Sequence, residues 1–430
     1  MKKLLLTLIL LNAVLSTVAA QQLTDAELRK RKAISPEISG GHDPINNLFR
    51  KQHEKTTHIH GDILTGADQT ALYVDYLKNK NTGMVVNQTS IIGIHKVSSI
   101  DSLLKSGVHI AKIFGPEHGF RGDASNGAKV DDAVDPKTGI PAISLYGKHY
   151  KPTPADLKGI DLMVFDIQDV GARFYTYLST LHYVMEACAE NNIELVILDR
   201  PNPNALCVDG PVLDTAYRSF VGMDPVPVAY GMTIAEYALM INGEGWLKDH
   251  VKCKLKIIKL ANYIHSLPYD PPIHPSPNLT NYQSVILYPS LCLFEGTSIS
   301  VGRGTTFPFQ VLGHPALKGK FDFSFTPVSI KGMSEDPPHK DQVCYGIDLR
   351  DYDLDTISVS GKMNILWLIN LYKAFPDKEH FFNNYFTKLA GNDRLRKQIE
   401  AGNTEEEIRL SWEPKLSQFK MMRKKYLLYK

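Results

Sequence analysis

Ile113-Phe-Gly-Pro-Glu-His-Gly-Phe-Arg-Gly-Asp123 is the stretch on which the reading of this chain turns. An apolar run stops at Gly115-Pro116, and the next residues bring together a carboxylate, an imidazole, a guanidinium and a second carboxylate, spaced by glycines. Pro116 biases Gly115 toward extended backbone and glycine turns without a Cβ penalty, so a buried strand should end here in a tight polar loop. Glu117 and His118 then stand just past a strand's carboxyl end, the edge where open α/β sheets bind ligands.

The neighbouring sequence repeats the pattern. Gly83 to Asn87, His109 to Phe114, Ile140 to Tyr146, Ile160 to Phe165, Glu194 to Leu198 and Leu255 to Ile258 read as buried strands, and Ser99 to Lys105 and Tyr177 to Asn191 read as helices between them. Strands alternating with helices imply a parallel sheet with right-handed crossovers, an α/β domain over residues 59–270. Pro141 favours an edge position for its strand. Thr233-x-x-Glu236 has the spacing of a capping box, which makes Glu236 a helix cap before a catalytic acid. Prolines cluster from 268 to 277 and mark a boundary near 270. The remainder, 271–430, reads as a smaller α+β domain, with strands at Phe321 to Ile330 and Val343 to Leu349, a helix from Lys362 to Phe375 and one or two helices from Glu405 to Tyr426.

The chain begins Met1-Lys-Lys3, runs apolar to Val14 and closes on small residues through Ala20, the pattern of a secretory signal peptide over 1–20. The expected mature protein is exported, periplasmic or secreted, with a polar extension over 21–58. The chain carries 48 basic and 46 acidic residues, and losing Lys2 and Lys3 balances them, so charge gives no argument for nucleic acid or an anionic membrane. No later segment is apolar for long enough to span a bilayer. Five cysteines, spread singly, read mostly as small buried apolar residues.

Motifs for other chemistries are missing: no G-x-G-x-x-G, no Walker loop, no G-x-S-x-G and no H-E-x-x-H. No cofactor is implied, and a metal site from His118, Asp123, Asp166 and Asp169 lacks a defining spacing. What remains is a rim of Glu117, Asp123, Asp166, Gln168, Asp169, Arg173, Tyr175, Arg200 and Asn202. Such a mixture suits a sugar, because hydroxyls need paired donors and acceptors and glycoside cleavage needs a proton donor beside a second carboxylate. Asp166, Asp199 and Arg200 fit a buried ion-pair network equally well. A binding protein without turnover and a metal-dependent hydrolase are the competing classes.

P-E-H-G-F-R-G-D at 116 to 123, S-L-Y-G at 144 to 147, F-D-I-Q-D-V-G-A-R-F-Y-T-Y at 165 to 177, L-D-R-P-N-P at 198 to 203 and S-F-V-G at 219 to 222 resemble the exo-β-N-acetylmuramidase (NamZ-type) glycoside hydrolases. P-S-P-N at 275 to 278, E-G-T-S-I-S-V-G-R-G-T-T at 295 to 306 and Y-L-L-Y at 426 to 429 extend the resemblance. It implies a Rossmann-like domain followed by a smaller α+β domain with the active site in the cleft between them, and release of N-acetylmuramic acid from the non-reducing ends of peptidoglycan fragments. On it, Glu117 is the expected general acid, with His118 orienting it or binding sugar. The second carboxylate is expected at Asp169, with Asp166 and Glu295 open. Arg303, Arg173 and Arg121 are candidates for the lactyl carboxylate, and Tyr175, Tyr177, Asn202 and Asn278 for sugar contacts. Gln168 and Arg200 complete the expected binding set. Many members carry H-G-M-T where this chain has Tyr230-Gly-Met-Thr, so any role of that histidine falls to Tyr230 or is absent.

Overall fold

The computed structural model describes residues 62–117, 119–120 and 132–430, so His118, Arg121, Asp123 and the leader and extension over 1–58 lie outside the described residues. Its centre is a sheet of seven strands: β1 (Thr82–Val86), β2 (Ile110–Gly115), β3 (Ala133–Val134), β4 (Pro141–Ser144), β5 (Leu162–Asp166), β6 (Glu194–Leu198) and β7 (Lys254–Ile258). Their order is β3-β4-β2-β1-β5-β6-β7, and every pair is parallel except the short β3 against β4. Leaving β3 aside, the six parallel strands follow the doubly wound 3-2-1-4-5-6 order, whose switch point lies at the carboxyl ends of the central strands. Pro141 is one strand in from the edge, at the first residue of β4, where the missing N–H is tolerated.

Alternation along the strands divides the core in two. Met84, Val86, Leu162, Val164, Val196 and Leu198 face Ile100 and Leu103 of helix α1 (Ser99–Lys105) on one side of the sheet. Val85, Met163, Phe165, Leu195 and Ile197 face the other side. There they meet α2 (Tyr177–Glu190) and α3 (Ile234–Glu244), and that same core continues into the C-terminal half through Leu291, Phe294, Phe386 and Phe419. Strands covered on both faces read as unbroken apolar runs, which is why their sequences were so plain.

The C-terminal half builds on α4 (Tyr282–Leu291) and an antiparallel sheet of β8 (Val311–His314), β9 (Phe323–Phe325) and β10 (Cys344–Asp348), with β10 in the middle. Helices α5 (Leu366–Ala374), α6 (Phe386–Ala390) and α7 (Glu405–Arg423) follow. The expected strand to Ile330 is cut to three residues, and the expected helix from Lys362 begins only at Leu366. All five cysteines are buried and unbridged. No helix among the described residues is long and apolar enough to cross a membrane.

The chain's end returns to the first domain. Thr233 and Glu236 form the capping box of α3, and the other Glu236 oxygen accepts the Leu428 N–H at 2.7 Å. The Tyr429 hydroxyl donates to Asp199 Oδ2 at 2.5 Å, beside the Thr233 hydroxyl at 2.8 Å. Asp199 is therefore a structural knot rather than half of an ion pair with Arg200. Burial raises its carboxyl to about 7, so the folded chain holds that proton more tightly than the unfolded one. This group's contribution to stability is greatest below about pH 4 and falls as pH rises through 7, by on the order of 4 kcal/mol. Asp169, raised to about 7 by the same cause, acts in the same direction. Asp199→Asn is expected to fold and to remove roughly half of the stability lost between about pH 4 and pH 7, read as urea midpoints across that range. Midpoints that keep the parent's pH slope would contradict this assignment.

Candidate active site

Three strand tails on the switch-point rim converge on one cavity of about 340 Å³. Glu117 enters two residues after β2, Tyr146 two residues after β4, and Phe174, Tyr175 and Thr176 at the end of the long tail of β5. Gly115 makes the first tail possible, because a Cβ there would lie 2.9 Å from the Phe120 backbone nitrogen. Thr176 is the N-cap residue of α2, yet its hydroxyl caps nothing and donates instead to Glu117 Oε2 at 2.8 Å. Glu117 is thus held at a helix N-terminus, where unpaired N–H groups gather partial positive charge. The Tyr146 phenol also pairs with Glu117; burial first, and then the carboxylate's charge, pushes its pKa up and keeps it a donor.

The opposite wall comes from the C-terminal half. Glu295 lies in the 3-10 turn Cys292–Gly296 that follows α4. Gly296 lets this turn sit directly on α6, since a Cβ there would meet Phe386 Cα at 2.3 Å. That contact carries Tyr385 and Lys388 to the cavity. Arg303 Nε donates to Glu295 Oε1 at 2.5 Å while its guanidinium lies over the Phe309 ring, 5.0 Å from the centroid. Its Nη1 is buried without a partner among the described residues. Burial first, and then the charges of Glu295 and Glu117, push the Tyr385 phenol up, so it is close enough to feel both glutamates. Aromatic rings line the cavity: Tyr288 packs on Tyr175 and Phe174 at 5.7 and 5.5 Å, and Tyr150 stacks on Phe220 at 4.1 Å.

Of the residues expected from sequence, the cavity takes in Glu117, Tyr175, Glu295 and Arg303. The others described are turned inward. Asp169 accepts from the Tyr230 hydroxyl and from Gly171 N at 2.6 Å, and neither it nor Tyr230 lines the cavity. The tyrosine at the position of the family's H-G-M-T histidine is thus a partner of a buried carboxyl. Asp166 pairs with Arg200 Nε at 2.7 Å, as the ion-pair reading anticipated. Arg173 gives its two Nη groups to the carbonyls of Pro211, Val226 and Leu389, each at 2.8 Å, and its Nε is buried without a partner among the described residues, away from the cavity lining. Gln168 donates to Pro201 O, Asn202 to Met232 O and Asn278 to Met333 O. Tyr177 and Tyr175 both donate to Pro275 O, at 3.3 and 2.7 Å, and so fix the segment that presents Ser276 to the cavity. Sequence reasoning missed Tyr146, Phe220 and Thr176 although each stands in a quoted motif; Tyr385 and Lys388 stand in none.

Models of the N-terminal and C-terminal parts of the exo-β-N-acetylmuramidase NamZ match residues 82–283 and 286–429. The chain belongs to the NamZ family. It is 39% identical over 386 residues to the peptidoglycan β-N-acetylmuramidase NamZ of Bacillus subtilis (strain 168), covering 85% of this chain and 91% of that one. Two crystal structures of DUF1343-family proteins from Bacteroides fragilis superpose with TM-scores of 0.79 and 0.74, at 44% and 31% identity. Each match covers 86% of this chain and 99% of the other. The α/β architecture with a smaller second domain is thus that of its family.

Two substitutions separate the cavity from its support. Thr176→Val removes a hydroxyl that touches Glu117 and is expected to lower kcat/KM about five- to tenfold, the effect of losing one hydrogen bond of about 1 kcal/mol or slightly more. Tyr230→Phe strips a donor from buried Asp169 and should cost about 1–3 kcal/mol of stability while folded protein stays within about twofold of parental activity. Denaturant unfolding and initial rates on the same preparations decide both.

Proposed function

We propose that this protein is an exo-acting glycoside hydrolase that releases N-acetylmuramic acid from the non-reducing end of peptidoglycan fragments. The observation that carries this reading is a cavity in which two carboxylates, Glu117 and Glu295, arrive from the two halves of a NamZ-family chain. The named activity of the Bacillus subtilis relative supports the substrate class. Glycoside cleavage adds water across the bond, with a proton to the leaving oxygen and hydroxyl to the anomeric carbon, and most glycoside hydrolases carry it out with two carboxyl groups flanking that bond.

Glu117 is the general acid. Thr176 and Tyr146 hold its carboxyl on the cavity side, so the proton is delivered from a fixed position. Glu295 is the second carboxylate of the reading, in preference to Asp169 and Asp166, because it lines the cavity and they do not. Arg303 fixes it through its Nε. The stacked Tyr150 and Phe220 rings offer an apolar face to a sugar ring. Work on the cell wall accords with export directed by residues 1–20.

A chromogenic β-N-acetylmuramide should release dye with the parent protein, and Glu117→Gln should lose about a hundred- to ten-thousandfold of that rate with its melting temperature kept. A parent protein that releases no dye and leaves muramic-acid-ended fragments intact would overturn the reading. Export is checked separately, by sequencing the N-terminus of protein recovered outside the cytoplasm, where Gln21 is expected first.

A further inference from the structure

Among the described residues, four charged side chains line the cavity: Glu117, Glu295, Arg303 and Lys388. Their pairing is unequal. Arg303 is committed to Glu295 through Nε, and its guanidinium is packed on Phe309. Its spare Nη1 is a buried donor whose charge is already offset by a carboxylate, which suits a neutral acceptor such as an amide or hydroxyl oxygen. Lys388 has no such commitment. It projects from α6, the one-and-a-half-turn helix seated on Gly296, it is exposed, and among the described residues its ammonium has no carboxylate within ion-pairing distance. Some lysines of this chain are paired, Lys151 with Glu186 and Glu190 and Lys397 with Asp393, and what sets Lys388 apart from the other unpaired ones is its place in the cavity wall.

Electrostatics gives the unpaired cation a purpose. A substrate that carries its own carboxylate enters a cavity already holding two glutamates, one of them balanced by Arg303. Like charges in a partly enclosed site repel strongly, so the ligand's carboxylate needs a cation that no protein group has already taken. We propose that Lys388 is the specificity-determining residue of this cavity, binding the carboxylate of an acidic amino sugar and selecting it over the neutral N-acetylglucosamine that lacks the group. The inference rests on the function proposed above and assigns the acid selectivity to a residue outside every motif of the chain. A lysine at the end of a flexible stem on the rim acts as a point charge, so it should govern binding more than the chemical step.

The test uses the full-length protein with chromogenic β-N-acetylmuramide and β-N-acetylglucosaminide, comparing parent, Lys388→Met and Lys388→Arg. Lys388→Met is expected to raise KM for the muramide about tenfold to fiftyfold, as for loss of a charge-assisted hydrogen bond, with kcat within about threefold. Any activity on the glucosaminide should not change, Lys388→Arg should restore most of the affinity, and added salt should weaken muramide binding by the parent more than by Lys388→Met. A muramide KM equal to the parent's, or an equal change on both glycosides, overturns the proposal. If the parent turns over neither glycoside, the hydrolase reading falls, and calorimetry with free N-acetylmuramic acid decides Lys388 on its own. Binding to the parent that disappears in Lys388→Met supports the assignment, whereas equal binding, or none to the parent, overturns it.

Discussion

Burial of the switch-point rim is the constraint from which most of this molecule follows. The core on one face of the parallel sheet does not stop at the first domain but runs on into the C-terminal half through Leu291, Phe294, Phe386 and Phe419. The polar tails of β5 and β6 are therefore roofed over. A polar group taken out of water without a partner costs about 1–3 kcal/mol, so each tail residue must be satisfied by protein. Much of that demand is met by Asp166 with Arg200, Asp199 with Thr233 and Tyr429, and Arg173 with three backbone carbonyls, although Asp166 Oδ2, Asp169 Oδ1 and Arg173 Nε stay buried without a partner among the described residues. These residues make the cleft rigid, and rigidity is what lets a single carboxyl be aimed.

Where the roof leaves a gap, the chemistry collects. The gap is bounded by the tail of β2, the entrance to α2 and the turn after α4, and each boundary supplies one functional group: Glu117, Thr176 and Glu295. Thr176 shows how the local and global demands are reconciled. A threonine at an N-cap would ordinarily close its own helix, but here the hydroxyl is turned outward to the acid, and the helix end is left with its partial charge facing the site. On the far wall Gly296 serves the same end by close approach, since only a residue without Cβ lets the Glu295 turn and α6 share one surface.

Much of the first domain was legible. Ser99 to Lys105 and Glu194 to Leu198 were read at their observed limits, and the capping box at Thr233 and Glu236 formed as its spacing required. These are local signals, periodicity and capping, which the chain carries in consecutive residues. The second half was harder for an equally physical reason. Residues 284 to 291 of α4 are buried all round and interrupted by Pro289, so no amphipathic stripe announces the helix. Glu117, Tyr175, Glu295 and Arg303 could be picked out as polar or aromatic residues in glycine-punctuated loops. Asp169, Arg173 and Asn202 looked the same in sequence and turned out to be internal struts.

The sequence by itself determined the succession of strands and helices in the first domain, the strand-end loops, the family resemblance and the strand-end position of Glu117, because all of these depend on residues adjacent in the chain. Only the tertiary structure decided which strand-end residues face the cavity and which face the core, since that depends on partners distant in the chain, such as Tyr230 for Asp169, Arg200 for Asp166 and Tyr429 for Asp199. It also brought Glu295 rather than Asp169 to the cavity with Glu117, and set the unpaired Lys388 at its edge. Those placements follow from the packing of Gly296 on α6 and from the shared core. No local pattern encodes them.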